Sequence, residues 1–149
     1  MAHMGGSASE EIDAPIADVW AVVEDVLSAP DWQSGVVDME ALEKDAEGRA
    51  TLVEVENDAK VRRVKSQVRF RYEPPTRLSW NQEKGDLKSV EGSWELEDLG
   101  GNRTRATYTL DADPGRVLGM LIRGPVEGVL RGQLVNGRPG ELKARVEGR

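Results

Sequence analysis

Between Val36 and Leu110 the sequence alternates apolar and polar residues with a period of two, and no other feature restricts the fold as strongly. A strand sends successive side chains to opposite faces, so sustained alternation predicts antiparallel strands with one dry and one wet face. The clearest stretch sets Val64, Ser66, Val68, Phe70 and Tyr72 on one side and Lys65, Gln67, Arg69 and Arg71 on the other. The same parity groups Val37 with Met39 and Ala41, and Thr51 with Val53 and Val55. Further along it groups Leu78 with Trp80 and Gln82, Val90 with Gly92, Trp94 and Leu96, and Thr104 with Ala106, Tyr108 and Leu110. Turn signals separate these runs: Asp45-Ala46-Glu47-Gly48, Asn57-Asp58, Pro74-Pro75, Lys84-Gly85-Asp86 and Leu99-Gly100-Gly101-Asn102.

Helical periods flank this block. Ser9 to Asp13 predicts a short strand, after which Pro15 opens a helix carried by Ile16, Val19, Trp20, Val23, Val26 and Leu27. Ser28 to Gly35, with Trp32, reads as a break or a second short helix. After the strands, Asp113 to Leu134 predicts a long amphipathic helix with Leu118, Leu121, Ile122, Pro125 and Val129 on its apolar side and Arg116, Arg123, Glu127 and Arg131 in water. Asn136-Gly137-Arg138-Pro139-Gly140 reads as a stop signal before a short final segment. The expectation is an α+β domain: a curved antiparallel sheet of about seven strands, short helices after the first, and a long C-terminal helix that covers the apolar face as the lid of a pocket.

With 149 residues the chain is expected to be a single domain over residues 9–149, after a Gly/Ser-rich MAHMGGSA segment at residues 1–8 that reads as an expression scar or disordered lead-in. A net charge of −7 argues against a nucleic-acid partner. No apolar run reaches the length of a membrane span, and the expected location is cytoplasmic. The chain has no cysteine and one histidine, His3, in the lead-in. Thiolate sites, Ser–His pairs and His-ligated metals therefore have no residues to draw on, and no metal or cofactor is expected.

The inward parity collects Phe70, Tyr72, Trp80, Trp94 and Tyr108 on one face. Any one of them fits ordinary core packing, but together with Trp32, Val68, Gln82, Leu121, Gly124 and Gly128 they suit a ligand pocket of roughly 300 Å³ or more. Arg69 and Arg71 fall on the outer, solvated face. Gly124, Gly128 and Gly132 form a stripe four residues apart, read as room for close helix–sheet approach or for ligand.

Several segments carry a resemblance: Ile12-Asp13-Ala14-Pro15-Ile16-Ala17-Asp18-Val19-Trp20, Pro30-Asp31-Trp32, Leu87-Lys88-Ser89-Val90-Glu91-Gly92-Ser93-Trp94 and Gly119-Met120-Leu121-Ile122-Arg123-Gly124-Pro125. Together the chain resembles the polyketide cyclase/dehydrase branch of the START-like (Bet v 1-like, SRPBCC) superfamily. The resemblance implies a helix-grip fold, a seven-stranded sheet gripping a C-terminal helix, with a ligand cavity between them. Its motifs mark a fold and not a reaction. Binding of a small hydrophobic ligand, lipid-like or polyketide-like, is the first expectation. The alternatives are a cofactor-independent cyclase or dehydratase, in which Tyr72 or Tyr108 would assist proton transfer, and a protein-interaction module with a vestigial cavity. The resemblance leads one to expect a helix running to the C-terminus, so the Asn136–Gly140 interruption is a departure from it.

Overall fold

Alternation becomes one seven-stranded sheet. The structure, a computed structural model, describes residues 4–60, 62–121 and 125–148. Its strands are β1 (Met4–Ile12), β2 (Val36–Lys44), β3 (Ala50–Asp58), β4 (Arg63–Glu73), β5 (Arg77–Gly85), β6 (Ser89–Gly100) and β7 (Arg103–Asp113). All neighbours are antiparallel in the order β1-β7-β6-β5-β4-β3-β2, so β1 and β2 are the edges. Helix α1 (Ile16–Glu24) and a 3-10 segment (Val26–Asp31) carry the chain from one edge to the other. Register shifts in the β2–β3, β4–β5 and β6–β7 ladders bend the strands, and this curvature makes the inner face concave. The β6–β7 connection is a two-residue turn with positive φ at both Gly101 and Asn102, the geometry that matches strand twist.

Three boundaries differ from the sequence expectation. Strand β1 starts at Met4, so residues 4–8, read above as lead-in, pair with β7 from Met4 opposite Ala112 to Ala8 opposite Tyr108. His3 lies outside the described residues. Helix α1 stops at Glu24, which leaves Val26 and Leu27 in the 3-10 segment with Val26 buried and Leu27 exposed. At the start of β2 the register shift between Val36 and Asp38 reverses parity: Val37 is exposed, and Val36 takes the inner position.

The C-terminal helical region departs most. Of the expected helix the described residues carry α2 (Arg116–Leu121) and α3 (Pro125–Arg131), and Ile122, Arg123 and Gly124, between them, lie outside the described residues. Asn136 to Gly140 is no stop. A π turn (Gly132–Asn136) runs directly into α4 (Arg138–Glu147), with the Gly137 N–H donating to the Gly132 carbonyl at 2.9 Å. Pro139, at the start of α4, has no N–H with which to continue the α ladder, which is one reason for a wider turn just before it.

That turn inserts one residue into the helical phase. Counting from the buried Leu130, an unbroken α-helix would turn residues 134, 137, 138 and 141 inward. The fully buried residues are Val135, Arg138, Pro139 and Leu142, a set displaced by one place that keeps position 138 in common, while Leu134 is half-buried against the smaller cluster. Leu121 and Val129, expected on the apolar face, are 53% and 55% exposed, while Leu118 and Leu130 point in.

Two apolar clusters result. The larger joins the inner sheet face to α1 and α4 through residues such as Val19, Trp20, Val53, Leu78, Trp94 and Leu142. The smaller gathers Ala59, Val64, Leu118 and Leu130, with Leu87, Val126 and Leu134 against them. Helix α4 is also tied down at its polar edge: Lys143 Nζ donates to the Glu11 carbonyl at 2.9 Å, and the Asp13 N–H donates to Glu147 at 3.0 Å.

Candidate functional site

Between the two clusters lies a cavity of about 160 Å³. It is smaller than the roughly 300 Å³ expected of a pocket for a drug-sized ligand. The physical reason is the inward turn of Leu118, Leu130 and Leu134, which bring the helices down onto the sheet. The wall is mainly apolar, with Met39, Val55, Val64, Val68, Leu78, Val90 and Leu110 from the strands.

One side of the cavity is a chain of ring contacts. Phe70 and Trp80 have centroids 5.8 Å apart, Trp80 and Tyr108 5.6 Å, Tyr108 and Trp94 4.7 Å, and Trp94 and Trp32 6.4 Å, all tilted. These are the tilted geometries that ring quadrupoles favour. Trp80 stands opposite Gly92 across the β5–β6 pair. A Cβ at Gly92 would come within 2.4 Å of the indole ring, so the ring lies on bare backbone and position 92 has room for hydrogen only.

Of the residues selected from sequence, Val68, Phe70, Trp80, Trp94 and Tyr108 line the cavity. The others stand elsewhere. Trp32 packs behind Trp94, and its Nε1 donates to Ser28 Oγ at 3.0 Å. Tyr72 is outside the wall: its hydroxyl donates to the Ala50 carbonyl, and the Arg49 guanidinium lies 4.9 Å from its ring centre. Burial raises its pKa, with the nearby Asp45 charge acting in the same direction. Gln82 sits one layer back, accepting from Ser66 Oγ at 2.8 Å and donating to the Leu87 carbonyl at 2.8 Å, so that Ser66 is the wall residue of this pair. Leu121 is exposed, as is Gly128, where a Cβ would meet no heavy atom within 4 Å among the described residues beyond its own helix backbone and chain neighbours. Gly124 lies outside the described residues.

The sequence reading missed Arg138. It lines the cavity and is 2% exposed. Its Nη1 donates to the Ser34 carbonyl at 2.9 Å and to Glu141 Oε1 at 2.8 Å, and the guanidinium stands 5.7 Å from the centre of the Tyr108 ring. Glu141 in turn accepts from the Ser34 N–H and hydroxyl, so the loop before β2 is latched to α4. Among the described residues Arg138 Nε is buried with no hydrogen-bond partner. Burial pushes the Tyr108 hydroxyl pKa up, against the pull of the Arg138 charge. Working backward from Leu142 by four and seven residues would have placed Arg138 and Val135 on the inner face. The Asn-Gly-Arg-Pro-Gly composition drew attention away from that period.

Among the described residues no group of three or more His, Asp or Glu side chains is placed to hold a metal ion. No helix among them is long and apolar enough to cross a membrane.

A family model described as polyketide cyclase/dehydrase and lipid transport matches residues 6–147. The chain belongs to that family. Its structural relatives carry the same fold at low sequence identity. A START superfamily protein from Mycobacterium smegmatis superposes with a TM-score of 0.81 at 19% identity, covering 99% of each chain. A protein from Thermus thermophilus gives 0.80 at 19% identity, covering 97% of each. The ZhuI aromatase/cyclase from Streptomyces sp. R1128 gives 0.67 at 20% identity, covering 99% of this chain and 84% of that one. Among curated proteins no sequence matches it. The helix-grip architecture expected from the resemblance is the architecture found: seven antiparallel strands curved around a helical segment that runs to Glu147.

Proposed function

We propose that this protein binds a small hydrophobic molecule in the cavity between the sheet and the C-terminal helices. The observation that supports this reading is the cavity wall itself. Four aromatic rings and a set of aliphatic side chains surround internal space instead of closing on one another. An apolar cavity of about 150 Å³ takes up benzene, so the space present suits a ligand of about one ring. A lipid chain or an extended poly-ketone, the ligand classes of the first expectation, is larger than this. Either would enter only if α2 and α3 moved away from the sheet.

Tyr108 is the sequence-selected proton donor that lies in the wall, whereas the Tyr72 hydroxyl is committed to a backbone carbonyl. A cyclase or dehydratase would have to work with Tyr108 and Arg138.

The test is native mass spectrometry of protein purified without denaturant, paired with tryptophan fluorescence during titration with toluene. Trp80 and Trp94 are in the wall, so occupancy changes their emission. A retained small apolar molecule, or a saturable fluorescence change, supports the reading. A protein that is empty in the first experiment and silent in the second up to the solubility limit refutes it.

A further inference from the structure

We propose that the outward face of α2 and α3 docks on an anionic lipid bilayer, its apolar side chains entering the headgroup boundary while the basic loops beside it rest on the acidic headgroups. The proposal concerns the outside of the molecule, and it stands or falls separately from what the cavity holds.

The first observation is where the exposed apolar residues lie. Val117, Met120, Leu121 and Val129 are the four most exposed large hydrophobic side chains among the described residues, and all four belong to α2 and α3. Within α2 the exposed positions 116, 117, 120 and 121 share one face, opposite the buried Leu118 and Gly119. Within α3 Pro125, Gly128 and Val129 are exposed opposite the buried Leu130, and Glu127 and Arg131 pair with each other at 3.0 Å on its flank. Leu118 and Leu130 meet in one cluster, so both helices turn these faces away from it. Arg116 is the one charged residue on them. In a chain of which 32% of the residues are charged, such a face to water calls for a partner.

The second observation is the charge beside that face. Ala59 and Val64 belong to the same cluster as Leu118 and Leu130, and between them in the chain come Lys60, Arg62 and Arg63, all exposed. Leu87 packs on this cluster too, and it leads into the exposed Lys88, which adjoins Gly115 at the head of α2. The aspartates of these loops are turned to the backbone. Asp58 accepts from the Lys60 N–H at 2.8 Å, Asp86 from the Lys65 N–H at 2.8 Å, and Asp113 from the Gly115 N–H at 2.9 Å. Ion pairs between the two sets are long, 3.7 Å from Arg62 to Asp86 and 3.9 Å from Lys88 to Asp113, and pairs of this kind hold weakly. The cations therefore stand in water while the carboxylates shape the loops. This is the reverse of the chain as a whole, whose net charge is −7.

The combination decides between partners. A second copy seated on this face by a two-fold axis would set the same basic loops against each other, and two short helices offer little of the roughly 800 Å² that each partner of a stable dimer buries. An anionic bilayer satisfies both features. Its surface attracts basic segments, and its headgroup boundary takes up apolar side chains from a helix lying in the plane. Docked in this way, α2 and α3 are all that separates the bilayer from the cluster over the cavity.

Flotation of the intact chain with vesicles tests the proposal, using phosphatidylcholine alone and phosphatidylcholine with phosphatidylglycerol in equal parts. The mixed vesicles should bind at least about tenfold more tightly, and raising the salt should weaken that binding. Arg62→Ala with Arg63→Ala should weaken it about fivefold for each cation removed, and lysine at both positions should restore it. Val117→Ser with Met120→Ser should weaken it at least as much. These side chains are exposed and outside the cavity wall, so the melting temperature and the fluorescence response to toluene should stay as in the native protein. Equal binding to both kinds of vesicle, binding to neither, or binding that both substituted pairs leave intact overturns the proposal. A dimer seen by sedimentation and abolished by Met120→Ser, with no vesicle binding, would give the face to a second copy instead. Toluene binding without vesicle binding sinks the docking surface alone, and vesicle binding without toluene binding sinks the cavity reading alone.

Discussion

The two apolar clusters that share the cavity are built differently. The larger has the sheet below, α1 and α4 above, and polar latches from Lys143, Glu147 and Glu141 holding α4 to the end of β1 and to the loop before β2, with one side lining the cavity. The smaller is a cover. It is held by Leu118 from α2 and Leu130 from α3, with Val126 and Leu134 beside them, while Val117, Met120, Leu121 and Val129 on the same helices stand 75%, 62%, 53% and 55% exposed. Burial of apolar area is what holds a helix to a sheet, and here a large share of the cover's apolar area remains in water. The difference predicts that damage to the larger cluster acts mainly on folding, and that damage to the cover acts mainly on local opening over the cavity.

The largest effect should come from striking each cluster once. Leu142→Ala empties a fully buried position in the larger cluster and should cost about 2–5 kcal/mol of unfolding free energy by urea denaturation. Leu130→Ala removes a side chain equally well buried, but from the thin cover, whose neighbours have more freedom to settle. It should fall near the lower end of that range. Its distinguishing effect should be faster amide exchange confined to residues 116–131. Leu121→Ala should change stability by no more than about 0.5 kcal/mol. Equal exchange throughout the chain in Leu130→Ala would break the distinction between cover and body.

A smaller loss is expected on the sheet side. Gly92→Ala forces a methyl group into the indole of Trp80, itself wedged between Phe70 and Tyr108. The cost should be about 1–3 kcal/mol, with a shift in tryptophan emission as Trp80 tilts into the cavity. An unchanged melting temperature with unchanged emission would show that this wall yields as easily as the cover does.

Alkali should act on the body and spare the cover. Both tyrosines have hydroxyl pKa values raised above the ordinary phenol range, burial being the main cause in each. A phenol that keeps its proton longer when folded contributes stability that is fully present below the unfolded pKa of about 10 and is lost as pH rises beyond it. Each such proton steepens the fall by at most about 1.4 kcal/mol per pH unit. Urea midpoints measured from pH 8 to pH 11 should therefore drop above pH 10, and Tyr108→Phe should make the drop shallower. A slope identical to the native one would mean that Tyr108 ionises without unfolding.

What the sequence revealed follows the same division. Strand parity returns every second residue, so the β4 face Val64, Ser66, Val68, Phe70, Tyr72 was readable in full, and five wall residues came from such parity. Only local irregularities misled it, as where the β2 register shift exchanged Val37 for Val36. Helical phase is less forgiving, because each residue turns the face by about 100°. One extra residue in the π turn shifts the inner face to Val135, Arg138 and Leu142, and Arg138 went unseen because Asn136 to Gly140 was read as a stop and no period was carried through it. Parity also cannot say how far along a strand the cavity extends. Tyr72 shares a face with Phe70 yet lies beyond the cavity, bonded to Ala50.

The smallest prediction concerns Gly128, where the structure removes both uses suggested by the glycine stripe. A residue kept small for ligand passage or for close packing would have neighbours near its Cα. Among the described residues a Cβ built at Gly128 meets no heavy atom within 4 Å beyond its own helix backbone and chain neighbours, and the same holds at Gly132. Gly128 is also exposed, on the outer side of α3. Glycine in a helix interior costs about 0.5–1 kcal/mol relative to alanine, chiefly through the freedom it has when unfolded. Gly128→Ala should therefore stabilise α3, raise the melting temperature slightly and slow amide exchange across residues 125–131. Gly128→Leu should leave toluene binding unchanged, since its side chain points away from the cavity. A loss of binding in the leucine variant, or a lower melting temperature in the alanine variant, would mean that the cover closes over the cavity by a surface other than the one carrying Leu118 and Leu130.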